Sequence, residues 1–375
     1  MFVNVGFPST SFGVYQPYIV AVPGMDHSAG SVVVTVRNFA SLVTIFFIAW
    51  YYRKLDCRMG IFLGTLATAI GFGIFAFSYN LTTFVIASII TGIGYGFAGT
   101  SAMTILIARW HEKDTGTPFG IATIGSSVSG VCVPMVVLAI LSTGELGQAF
   151  GVQAIFALIT AFILLIFIRN SKDGKKTSDQ LKLKRNAERK LSKGKYYLYV
   201  FGVFLLGGAC LSDIVYLSVL FTSSGADPVL AAAAVSVANF ALAFGKIVLG
   251  YLLDKLGTLK GTIVAFAILL TGKLLICVAA GYTGVFPYIS TAIFGFGTAI
   301  TTVGVAQWSV DLSTPESRYS CVRDLQVAYT GGGFLTGMIP GIVAEFTGSY
   351  VPFYFASAIA VLISAIIIIK LFPRK

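Results

Sequence analysis

Charge is what this sequence has least of. Only 11% of its 375 residues are Asp, Glu, Lys or Arg, against 56% hydrophobic residues and a mean hydropathy of +0.87. A soluble chain of this length could not cover its surface with so few charges. Histidine occurs only as His27 and His111, and the five cysteines (Cys57, Cys132, Cys210, Cys277, Cys321) form no CxxC pair. That scatter offers no metal-ligand cluster, so the cysteines read as small packing residues and no cofactor is expected. Short alternating segments are missing, which excludes a β-barrel. A catalytic constellation and a soluble sensor domain are missing too, which argues against an enzyme or a receptor. The net charge of +11 does not imply nucleic acid. Its basic residues flank apolar runs and do not interleave with base-stacking aromatics.

What is present is a series of apolar runs, each long enough to cross about 30 Å of hydrocarbon as a helix. They fall at 2–22, 31–52, 60–79, 83–108, 117–141, 149–169, 196–222, 228–252, 260–281, 285–310, 320–344 and 351–371. The expected fold is therefore an all-α membrane protein of twelve transmembrane helices, each satisfying its own backbone within lipid. Residues 170–195 carry ten Lys/Arg against three acids. They form a basic linker between an N-terminal six-helix bundle (1–169) and a C-terminal one (196–375).

The cations sort by side. Alternate loops hold Arg53, Lys54 and Arg58; Arg109 and Lys113; Arg169 and the linker; Lys255 and Lys260; Arg318 and Arg323; and Lys370, Arg374 and Lys375. The loops on the other side hold none and carry Asp26, Glu145, Asp227 and Glu345 instead. The positive-inside rule makes both termini cytoplasmic, in a plasma (inner) membrane. No basic n-region and no small-residue cleavage site precede the first run. It reads as a span that starts at Met1 or as the remainder of one that starts upstream.

The halves echo one another. The fourth run reads TGIGYGFAG and ends Ala108-Arg109-Trp110; the tenth reads FGFGTAI and ends Ala306-Gln307-Trp308. The helices that follow carry Gly130-x3-Pro134 and Gly337-x2-Pro340. Repeated halves joined by a linker are a transporter architecture with a site near mid-membrane. After the eighth run comes Gly250-Tyr-Leu-Leu-Asp254-Lys255-Leu-Gly257-Thr-Leu-Lys260. This resembles the G-x3-D-[RK]-x-G-x2-[RK] loop of the major facilitator superfamily. Its counterpart YYRKLDCRMG departs from the pattern, with Arg53 where the acid belongs. The stretches ARWHEKDTGTPFGIATIGSSVSGVCVP, SFGVYQPYI and FGKIVLG resemble the oxalate/formate antiporters and monocarboxylate carriers of that superfamily. The resemblance implies two pseudo-symmetric six-helix bundles. In the loop, Asp254, Lys255 and Lys260 would act as a latch on the helix ends of a facing span, with Gly250 allowing close approach.

Away from the ends of the runs, four charges remain inside them: Arg37, Lys246, Lys273 and Asp213. Each costs about 2.5–3.5 kcal/mol at a helix centre unless a partner, water or substrate compensates it. The resemblance implies that Lys246, in the eighth run, takes the place of the arginine that binds the substrate anion in carboxylate carriers. As a lysine it lacks the bidentate fork. No cation in the eleventh run matches the second one of oxalate carriers. Arg37 and Asp213 lie at similar depth, roughly 22–24 Å from the cytoplasmic ends of their helices. They are expected to pair as an extracellular gate, or else Asp213 carries a coupling proton. Lys273 reads as structural. Tyr15, Gln16, Tyr18, Tyr216 and Asn239 are candidate cavity-lining groups able to orient a carboxylate. Pro8 and Pro17 are expected to interrupt the first helix, and Gly331-Gly332-Gly333 reads as a flexible or closely packed stretch.

Without an ATP-binding motif, transport would draw on a gradient. The expected function is secondary transport of a small organic anion, coupled to protons or a counter-anion. The expected partners are the lipid bilayer and a small-molecule anionic substrate, and the carrier is expected to be a monomer. The alternative is an exporter of drugs or other neutral or cationic compounds, for which Asp213 would be the accessible acid.

Overall fold

The computed structural model describes residues 1–15, 18–19, 22–23, 25, 27–111, 115–141, 144–169, 191–314, 317–337 and 339–373. Among them all regular structure is helical. The first apolar run opens as a π-helix, Phe2–Thr10, with Pro8 inside it, and continues as a 3-10 helix, Phe12–Tyr15. A proline removes one backbone donor and crowds the preceding turn, so an irregular first span is the physical consequence. Pro17 and most of the basic linker (170–190) lie outside the described residues.

The second run is bent. Helices α1 (His27–Phe46) and α2 (Ile48–Lys54) meet at 55°. Helix α3 (Cys57–Ala76) follows, then α4 (Leu81–Ala98) running on into α5 (Thr100–Trp110). Next come α6 (Gly116–Leu141) and α7 (Leu146–Phe167). Past the linker lie α8 (Lys193–Ser223), α9 (Pro228–Leu256) and α10 (Thr258–Ala279). Helix α11 (Phe286–Thr298) leads through a 3-10 turn into α12 (Val303–Asp311). The chain closes with α13 (Arg318–Thr336), α14 (Ile339–Thr347) and α15 (Val351–Leu371). Among the described residues ten helices are long and apolar enough to cross a membrane, or eleven if α1 and α2 count as one span. Each falls on one of the twelve apolar runs, and the broken first run is the twelfth.

Local chemistry sets the helix starts. Asp56 accepts from the Met59 N–H at 2.7 Å and Asn80 from the Thr83 N–H at 3.0 Å, each satisfying a donor the helix leaves open. Large apolar side chains point outward: on α7, Ile155, Phe156, Ile159, Phe162, Ile163 and Ile166 are exposed. Water would not tolerate that surface, whereas lipid does.

The chain divides into two compact units, Met1–Glu112 with Gly125–Asn186, and Lys113–Ile124 with Ala187–Lys375. The repeat seen in the sequence recurs in the packing. In the first unit a Cβ on Gly96 of α4 would meet Thr44 of α1; in the second, one on Gly295 of α11 would meet Ala238 of α9. The paired tryptophans diverge. Trp308 is wholly buried and donates to Thr262 at 2.9 Å, while Trp110 is 53% exposed.

Candidate functional site

Lys246 lies wholly buried on α9, and its Nζ donates to the carbonyl of Thr123 on α6 at 3.1 Å. Glycines make that meeting possible. A Cβ on Gly120 would collide with the Lys246 carbonyl, and one on Gly250 with the Gly116 carbonyl. The first turns of α6 therefore lie backbone to backbone along α9, the kind of approach small residues permit in membranes. One end of this contact is held by Asp254. Its Oδ1 accepts from the Gly116 N–H at 2.9 Å and its Oδ2 from the Thr117 N–H at 2.7 Å. A carboxylate set on two open N–H groups at a helix start gains from both hydrogen bonding and the helix dipole. Beside it Thr115 donates to Gln307 Oε1 of α12 at 2.6 Å. Lys255 and Lys260 are exposed, and Lys255 lies 5.8 Å over the Tyr251 ring.

Asp213 has a different partner from the one expected. On α8 it is wholly buried, and its Oδ2 is ion-paired with Lys273 Nζ of α10. Lys273 also donates to the Ala209 carbonyl at 2.8 Å and to Ser357 Oγ of α15 at 2.9 Å. The Tyr354 hydroxyl donates to the Asp213 carbonyl at 2.5 Å. Arg37, the partner expected from depth along a helix, belongs to the other unit, and the face of α8 that carries Asp213 turns towards α10 and α15. Lys273 is a cation fully compensated inside one unit.

Arg37 sits on α1, 7% exposed. Its guanidinium lies 4.7 Å over the Phe12 ring, and Nη2 donates to Asn38 Oδ1 at 3.4 Å. Nη1 has no hydrogen-bond partner among the described residues.

The candidate cavity-lining groups separate. Tyr15 is wholly buried, stacked 4.1 Å from the Phe150 ring, with its hydroxyl donating to the Ala149 carbonyl at 3.4 Å. It packs in an aromatic core: its ring lies against Phe12 and Phe150, and both of these pack on Phe75. Tyr18 is 37% exposed. Tyr216 is partly buried, donates to the Gly337 carbonyl at 3.1 Å and stacks on Tyr350. Asn239 returns its amide to Val235 O of its own helix at 3.0 Å. Gln16 lies outside the described residues. The Gly331–Gly333 stretch includes a close approach: a Cβ on Gly332 would collide with the Phe204 carbonyl of α8.

Thr123, Ser357 and Tyr354 escaped the sequence reading. Only Thr123 had a signal to offer, since it stands one turn beyond the Gly116-x3-Gly120 pair.

A family model described as Major Facilitator Superfamily matches residues 1–322. Among curated relatives, the agnestins efflux protein AgnL12 of Paecilomyces divaricatus is 24% identical over 262 residues, 68% of this chain and 58% of the relative. The riboflavin transporter MCH5 of Saccharomyces cerevisiae is 27% identical over 269 residues, 66% of this chain and 51% of the relative. The chain thus spans a little over half the length of these two relatives. The solved proton:xylose symporter XylE superposes with a TM-score of 0.80 at 14% identity, covering 99% of this chain and 93% of that one. The human organic anion transporter MFSD10 gives 0.75 at 11% identity, covering 98% and 97%. At such identities these structures speak for the fold alone.

Proposed function

We propose, for a chain that belongs to the Major Facilitator Superfamily, that it moves a small organic anion, a monocarboxylate or related carboxylate, by alternating access. Membership makes it a multi-pass membrane transport protein and not an enzyme. The observation that carries the anionic reading is the state of Asp213. Asp213, wholly buried in α8, is held by Lys273, so a cationic cargo would find it already compensated. Arg37 and Lys246 meanwhile place two basic side chains in the interior, on α1 and α9. Lys246 is the proposed substrate ligand, able to leave the Thr123 carbonyl for a carboxylate, which binds an ammonium more strongly than a neutral carbonyl does.

Asp254, near the end of α9, supplies the proposed latch at the start of α6, with Lys255 next to it and Lys260 in the first turn of α10. Coupling runs through proton uptake at Asp213, which would release Lys273, or through a counter-anion. The two bundles are 1–169 and 196–375, joined by the linker 170–195, in a monomer of the plasma (inner) membrane. The loop charges support cytoplasmic termini.

Counterflow in proteoliposomes with labelled lactate, pyruvate, formate and oxalate tests this. Wild type is expected to exchange at least one of them, and Lys246→Ala to lose most of that exchange. Indifference to every carboxylate would remove the anion reading. The efflux protein among the relatives favours a second reading, export of a neutral or larger compound. Efflux of neutral or cationic dyes in carboxylate-free vesicles would select it.

A further inference from the structure

We infer that Arg37 is an anion-binding residue of the first unit, whose missing counter-charge is the carboxylate of a small organic anion. The inference rests on the anionic cargo proposed above and adds a cation of the first unit to its handling. A guanidinium cannot shed its proton inside a protein, so burial cannot silence its charge as it can a lysine's. Arg37 is 7% exposed in the middle of α1, whose residues His27–Phe46 include no acid. Its contacts among the described residues are weak. There is one neutral acceptor at 3.4 Å on the adjacent Asn38, the face of the Phe12 ring at 4.7 Å, and the electrostatic influence of Tyr95 on α4. Nη1 has no hydrogen-bond partner among the described residues.

Lys273 shows what this protein does with a buried cation that serves packing. It supplies an aspartate, a serine hydroxyl and a backbone carbonyl. Arg37 receives no such set. A buried charge left in that state is destabilising and is retained where a ligand completes it. The ligand class follows from the donor. Parallel N–H groups in a planar fork match the two oxygens of a carboxylate, while the Phe12 ring covers one face of the guanidinium plane.

The test uses the purified full chain in detergent, with thermal unfolding followed by tryptophan fluorescence in sodium formate, lactate, oxalate or chloride at matched ionic strength. Wild type is expected to gain melting temperature with carboxylates in a saturable way and not with chloride. Arg37→Met is expected to unfold a few degrees higher than wild type without ligand, because a lone buried charge is gone. It should also lose the carboxylate shift. Arg37→Lys, keeping charge without the fork, should need roughly tenfold more carboxylate for the same shift. The inference is overturned if Arg37→Met retains the shift, if wild type shows none, or if Arg37→Met is less stable than wild type or fails to fold. Those last results would make the cation structural. A wild type stabilised through Arg37 that exchanges no carboxylate in proteoliposomes would sink the transport reading and leave this one standing.

Discussion

The two units solve one packing problem with opposite chemistry. In the first, the 3-10 turn, α3 and α7 meet through rings: Phe12, Tyr15, Phe72, Phe75 and Phe150 stack or tilt on one another at centroid distances from 4.1 to 6.4 Å. In the second, α8, α10 and α15 meet through Asp213, Lys273, Ser357 and Tyr354. Phe72 and Lys273 hold matching places, each fifteen positions after the first residue of its helix, Cys57 and Thr258. The aromatic seam is held by dispersion between rings that need no partner of opposite charge. The ionic seam is held by groups that each become a liability once the other is gone. The first seam should therefore degrade gradually under mutation and the second abruptly.

The largest expected effect lies in the ionic seam. Asp213→Leu or Lys273→Leu alone should destabilise by about 3–5 kcal/mol, since each leaves a lone buried charge. The double substitution should recover most of that loss in thermal unfolding in detergent. Failure of the double variant to recover would break the comparison, because the pair would then matter for more than mutual compensation.

An intermediate effect is expected at the rings. Phe150→Ala should cost about 1–3 kcal/mol in the same measurement. This is below the 3–5 kcal/mol of a water-soluble core, because in lipid the transfer term is small and the lost contacts remain. A cost equal to that of Asp213→Leu would erase the contrast between the seams.

The smallest effect is expected at Tyr15→Phe, which removes one long hydrogen bond to the Ala149 carbonyl. Roughly 0.5 kcal/mol is anticipated, with exchange kinetics unchanged. A marked change in substrate affinity would return Tyr15 to the list of ligands.

Much of this was legible in residue order. The twelve apolar runs, the loop charges and the repeated glycine motifs all depend on local composition, and the helices fall where those runs lie. Asp254, expected to meet a facing helix end, stands near the end of α9 and accepts from the Gly116 and Thr117 N–H groups. The irregular first span followed from Pro8. The pairing of Asp213 was not legible. Arg37 and Lys273 were both cations within spans, and depth along a helix says nothing about which face a side chain occupies. Tyr15 failed for the same reason, since its spacing suits a cavity or an aromatic core equally well.

By itself, then, the order of residues determined a many-span helical membrane protein with repeated glycine motifs in its two halves and a short supply of intramembrane charge. These properties are set by hydrophobic length and loop composition, which act one segment at a time. Tertiary structure alone decided which intramembrane charges compensate one another. It joined Asp213 to Lys273, laid Lys246 beneath the Thr123 carbonyl, and left Arg37 without an acid among the described residues. Compensation is a matter of distances of a few ångströms between helices far apart in sequence. Only packing brings those groups together.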